Sequence, residues 1–196
     1  MPLTPLHYPV AYGLHRLQGR LPLPGLIVGS FIPDIEVPIL WVFDRGVPDH
    51  LILHSLLGLL TLGMLLSVLI THYLYPPLVA NIFRVERLGL NKACSLGTGL
   101  YLSCVVGLLG HLALDLPMHW FNPVLWPWID PYTIVGILVL LLAPEGDLQA
   151  GFALANSLVS SVMLVALLGI AWKCRHSLWT NMLLGESSAS SNEPIQ

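Results

Sequence analysis

Apolar residues fall in long unbroken runs along this chain, not in the alternation of strands or the stripes of soluble helices. Residues 51–75, 93–116 and 152–172 each supply the about 20 apolar positions that a helix needs to cross a bilayer. Two further stretches are long enough but broken. Residues 21–43 contain Pro22, Pro24, the Pro33-Asp34 step, Glu36 and Pro38. Residues 124–143 contain Pro127, Asp130 and Pro131, which leaves only 131–143 uninterrupted. Such interruptions predict discontinuous or re-entrant helices, tolerated where protein or a wet cavity covers the backbone. For 21–43 a kinked crossing and a re-entrant loop are both open.

The pattern predicts an all-α polytopic integral membrane bundle of four to five apolar segments, at least one discontinuous or re-entrant. A single transmembrane domain is expected over 1–184. Residues 185–196 are Ser-rich and lack apolar periodicity, which predicts a disordered tail.

Composition agrees. Of 196 residues, 55% are hydrophobic and 10% charged, and mean hydropathy is +0.76. A soluble domain carries about 25% charged residues. The net charge of −3 is too weak to imply nucleic acid. No basic region precedes a clean apolar core at the start, so no cleavable signal peptide is expected. Cys94, Cys104 and Cys174 show no C-x-x-C spacing; the first two are expected on one helix, as small packing residues. P-loop, G-x-S-x-G, H-E-x-x-H and dinucleotide signatures are absent from the sequence.

The exceptions to apolarity are therefore the informative residues. Ionisable groups at bilayer depth are costly unless they pair, bind an ion or line a wet cavity. His111 and Asp115, four apart, share one helix face near the end of their span, and His119 follows past Pro117. They form either a hydrogen-bonded structural pair or metal ligands. His54 opens the span at 51–75; the alternative for it is a capped interfacial histidine. In Gly29-Ser30-Phe31-Ile32-Pro33-Asp34 the proline is expected to push Ile32 out of helical geometry and to aim Asp34 from a turn. Asp34 as a helix cap is the competing reading. Glu36 is a helix-start charge or a general base. His7 is near the terminus, His50 is expected at the interface, and His72 at the wrong end of its span. Trp120, Trp126 and Trp128 suggest an interfacial belt.

Loop parity lets these residues meet. If 51–75 and 93–116 both cross, His54 and the His111/Asp115 pair share one side, and a re-entrant first segment keeps His7 there too. Orientation is undecided. Arg16, Arg20 and Arg45 are expected on the site side, and Arg84, Arg87 and Lys92 on the other. Lys173 and Arg175 join the site side if 124–143 crosses and the opposite side if it re-enters, which reverses the count.

The ordered set Thr4-Pro5-Leu6-His7, Gly29 to Asp34, His54-Ser55-Leu56-Leu57-Gly58 and His111 to Asp115, followed by His119, resembles membrane-bound metal-dependent hydrolases of the YdjM type. The resemblance covers roughly residues 1–128. It implies that His7, Asp34, His54, His111 and Asp115 are metal-site residues, with His119 matching a further histidine. Pro117-Met118 stands where that family usually has Thr before the last histidine.

The expected function is a divalent-metal hydrolase, with zinc as the expected ion, in the cell membrane. Its ligands would be His54, His111 and Asp115, completed by Asp34 and His7, with Glu36 or a non-ligating Asp taking the proton. A site near lipid suggests a lipid or amphiphilic ester or phosphoester as substrate. A proton or metal-ion transporter and a structural scaffold are the alternatives.

Overall fold

The computed structural model describes residues 4–43 and 50–185. All regular structure among them is helical. A 3-10 turn, Thr4–His7, leads into α1 (Tyr8–Leu17), and α2 (Leu23–Phe31) follows. A second 3-10 turn, Pro33–Ile35, joins α2 to α3 (Glu36–Phe43). The long α4 (Leu56–Phe83) is α-helical with π segments at Leu59–Gly63 and Ile70–Leu74. Then come α5 (Arg87–Ala93), α6 (Thr98–Asp115), α7 (Ile137–Leu142), α8 (Leu148–Lys173) and α9 (Leu178–Leu183). Four segments are long and apolar enough to cross a membrane: Leu23–Val42, α4, α6 and α8. The expected tail beyond Gly185 lies outside the described residues.

Packing centres on α2 against α6. A β-carbon on Gly107 would fall 2.5 Å from the Leu26 carbonyl oxygen, and one on Gly29 would strike the carbonyl of Cys104. Two glycines thus let the backbones touch, which is how membrane helices associate where lipid offers no hydrophobic drive. The order of contacts, Gly25 with Ser103 and Gly29 with Cys104 and Leu108, makes the two helices parallel. α4 runs antiparallel to α6: Gly63 meets the Leu108 side chain, and Thr71 lies against Cys104.

Several expectations change here. Ile32 stays right-handed helical (φ −58°, ψ −42°) and Pro33 opens the 3-10 turn, because a proline ring at a first helical position removes only an N–H that is orphaned anyway. The chain therefore continues from α2 into α3 in one direction, a broken but uninverted span. His7 reaches the His111 end by another route. α1 and α2 form a helical hairpin whose turn lies at the Thr98 end, with Pro22 and the Arg20 carbonyl about Gly99. Arg20 is thus remote from His111, contrary to its expected side. The 124–143 stretch yields only a three-residue 3-10 turn and six α-helical residues, the latter about 9 Å long, too short to cross. Cys94 and Cys104 sit on different helices, Cys94 capping α5 and Cys104 within α6; all three cysteines are free and buried.

Candidate metal centre

Each polar side chain of the His111 end has its own local cause. His111 and Asp115 come from the last turn of α6, one turn apart on its buried face. Asp34 comes from the 3-10 turn between α2 and α3, where the missing Pro33 N–H interrupts the helical ladder. His54 comes from the turn before α4, whose N-cap Ser55 accepts from the Gly58 N–H at 3.0 Å. His7 ends the first 3-10 turn. All five are buried.

One ligand atom from each of Asp34, His54, His111 and Asp115 lies within 4.8 Å of all the others. The His111 Nε2 is 3.1 Å from Asp115 Oδ2, 3.3 Å from His54 Nε2 and 3.7 Å from Asp34 Oδ1. His54 Nε2 is 3.8 Å from Asp115 Oδ2. A tetrahedral zinc ion with bonds of about 2.0–2.1 Å has donor-to-donor edges of about 3.3–3.4 Å.

Hydrogen bonds fix which atoms carry protons. His111 Nδ1–H donates to the Ser30 carbonyl at 2.8 Å, and an oxygen of that kind only accepts. His54 Nδ1–H donates to Glu36 Oε2 at 3.3 Å. In the neutral imidazoles both Nε2 atoms are therefore bare lone pairs, facing each other and two carboxylate oxygens. Both Asp34 oxygens and Asp115 Oδ2 are buried without a hydrogen-bond partner. A single proton on His111 would satisfy one of these contacts; a cation at the centre satisfies all four.

His7 spans the outer oxygens of the two aspartates. Its ring stacks on His111 at 4.1 Å, its Nε2 lies 3.1 Å from Asp115 Oδ1, and its Nδ1 lies 3.9 Å from Asp34 Oδ2. His119 stands aside from the four-atom group. Its Nδ1–H donates to the Asp115 carbonyl at 2.9 Å, and its buried Nε2 has no hydrogen-bond partner. Burial lowers the His119 pKa, which disfavours its protonated form.

Glu36, expected as a helix-start charge or a general base, occupies the first position of α3 and faces inward. Its carboxylate accepts from the Ile52 N–H at 2.5 Å and the Leu53 N–H at 2.8 Å, as well as from His54. It thereby holds the turn before α4 and fixes the His54 tautomer, as outer partners of metal-binding histidines do.

His50 was expected at the interface and is instead buried. Its ring lies 4.4 Å from that of His54 and 5.3 Å from that of His119. The His50/His54 spacing of four was the available signal, but the segment is a turn and not a helix. Asn122 was also missed. Its amide donates to the carbonyls of Leu116, His119 and Ile134, pinning the 116–136 connection beside His119. His72 behaves as expected: it bonds the Cys94 carbonyl, far from the cluster.

No curated protein and no solved structure matches the chain. The family described as YdjM inner membrane protein matches residues 7–184, a stretch that includes every residue of the cluster. This chain is a multi-pass membrane protein belonging to the YdjM inner membrane protein family.

Proposed function

We propose that the protein is a membrane-embedded hydrolase that depends on a divalent metal ion. The observation that carries this is the meeting of two imidazole Nε2 atoms, whose rings are turned inward by the Ser30 carbonyl and Glu36, with two unpartnered carboxylate oxygens in one buried group. His54, His111, Asp34 and Asp115 are the proposed ligands, and two imidazoles with two carboxylates suit zinc. His7, between the second oxygens of both aspartates, completes a one- or two-metal centre. A bound ion supplies Lewis acidity, lowering the pKa of water to near neutrality and polarising the scissile phosphoryl or acyl oxygen.

The remaining roles belong to the chain's own groups. Asp34 Oδ2, the unpartnered carboxylate oxygen that lies outside the four ligand contacts, is the proposed proton acceptor. Glu36 is a positioning residue in this reading, since three donors already hold its oxygens. The apolar surface of α3 continues past the site, with Ile39, Trp41 and Val42 exposed. Asp34 lies eight residues before Val42, about 12 Å along a helix, which favours an amphiphilic ester or phosphoester as substrate. A transporter would need polar relays toward the other face. Among the described residues, no second group of three such ligands comes together.

Metal analysis of the purified protein tests the reading, followed by hydrolysis of ester and phosphodiester lipids in detergent with and without chelator. Stoichiometric metal and chelator-sensitive turnover are expected. Metal without turnover on any such lipid would favour transport, and wild-type protein free of metal would leave a structural polar core.

A further inference from the structure

The basic residues are sorted by the fold to one end of the bundle. Arg84 caps α4, and Arg87 and Lys92 lie on α5, in the connection that leads into Thr98. The α1–α2 turn carries Arg20 to the same end, its carbonyl about Gly99, with Arg16 in the last turn of α1 just before it.

Lys173 and Arg175 follow because α7 is too short to cross. The Gly136 N–H bonds the His119 carbonyl, and the Leu138 N–H bonds that of Pro117, so α7 starts at the His111 end. Gly151 of α8 packs beside Val139 and Ala143, and Phe152 meets the His119 ring at 5.6 Å. α8 therefore also starts there and descends to the opposite end. Beyond it Trp179 packs on Phe83, the last residue of α4, at 4.6 Å.

Seven of the eight Lys and Arg residues thus gather at the Thr98 end, all exposed, while Arg45 lies outside the described residues. Exposed Asp130, Glu145 and Asp147 mark the opposite end, where no described Lys or Arg is found. Short loops rich in Lys and Arg stay on the cytoplasmic side of a membrane. We infer that the cluster-bearing end faces away from the cytoplasm, and that the centre draws its substrate from the extracytoplasmic leaflet. The substrate is then an amphiphile with its head group on that surface. An amphiphile made in the cytoplasm must first be moved across the bilayer by a transbilayer transport step. Only this substrate clause rests on the hydrolase reading; the orientation stands on charge and topology alone.

Single cysteines test it in sealed spheroplasts with a membrane-impermeant maleimide. The native Cys94, Cys104 and Cys174 are buried, so the unsubstituted protein serves as the blank. Gln149→Cys, exposed at the start of α8, is expected to label in sealed spheroplasts. Asn91→Cys and Gln18→Cys, exposed at the Thr98 end, are expected to label only after permeabilisation. Labelling of Asn91→Cys or Gln18→Cys in sealed spheroplasts, whether alone or together with Gln149→Cys, overturns the orientation. If Gln149→Cys is unreactive in both states, the other two positions decide. Absence of metal from the wild type would remove the substrate clause and leave the labelling pattern intact, so the two failures can be told apart.

Discussion

The span Leu23–Val42 and helix α8 are similarly apolar, yet they sit in the bundle in opposite ways. The first has 56% of its most apolar window buried and carries Asp34 and Glu36. α8 is 11% buried and holds no Asp, Glu, Lys, Arg or His before Lys173. Leu154, Leu158, Val162 and Val165 all face outward from it. Lipid tails are as apolar as leucine, so α8 loses little by facing them. Carboxylates have no such freedom and must be enclosed by protein that supplies donors or an ion. Apolar length makes a crossing, whereas enclosure of polar groups makes a site.

The sharpest way to break this contrast is to remove a proposed ligand from the enclosed side. Asp115→Ala and His111→Ala are each expected to abolish bound metal, read by elemental analysis, with the bundle still monodisperse in detergent. Turnover should fall by about 100-fold or more, a range typical for loss of charge stabilisation in the transition state. Retention of stoichiometric metal by both variants would end the assignment.

The enclosure itself is tested next. Gly107→Val forces a side chain into the Leu26 backbone and should separate α2 from α6. A loss of about 1–3 kcal/mol or more is expected from overpacking, seen as a lower midpoint in detergent melting and weaker metal retention. An unchanged midpoint would mean that this contact does not hold the site. A smaller effect is expected from Glu36→Gln, which keeps the shape but removes the charge that orients His54. Metal affinity should drop by about 10- to 100-fold, measured by competition with a chelator. The least effect belongs to the lipid-facing side. Leu158→Ala and Val165→Ala on α8 should change stability by no more than about 0.5 kcal/mol and leave metal content unaltered. A large loss there would show that α8 packs on something besides lipid.

Much of the fold was legible because a bilayer demands one thing of a crossing helix, apolar length, and length is written in the chain. α6 and α8 lie within or over the expected runs with ends shifted by a few residues. α4 extends to Phe83, past the Tyr75 expected as its end, because Pro76 and Pro77 sit in the first turn after a π segment, where the ladder is already adjusted. The gathering of Asp34, His54, His111 and Asp115 was anticipated from loop parity, yet two of its reasons were not. His7 arrives by a helical hairpin instead of a re-entrant loop, and Asp34 stays within a broken helix whose preceding residue remains helical. His50 was expected at the interface and is buried instead, because nothing local distinguishes a buried imidazole in a turn from a wet one.

The run of apolar residues alone fixed that this chain lives in a membrane, and the rarity of charge within those runs singled out the side chains that matter. Which way those side chains face was settled only by packing: Ser30 and Glu36, distant in sequence, take the Nδ1 sides of His111 and His54 and turn the opposite nitrogens toward the shared centre. Hydrophobicity is a property of single residues that adds along a chain. Coordination geometry is a relation among several, and it exists only once α2 and α6 have closed on each other.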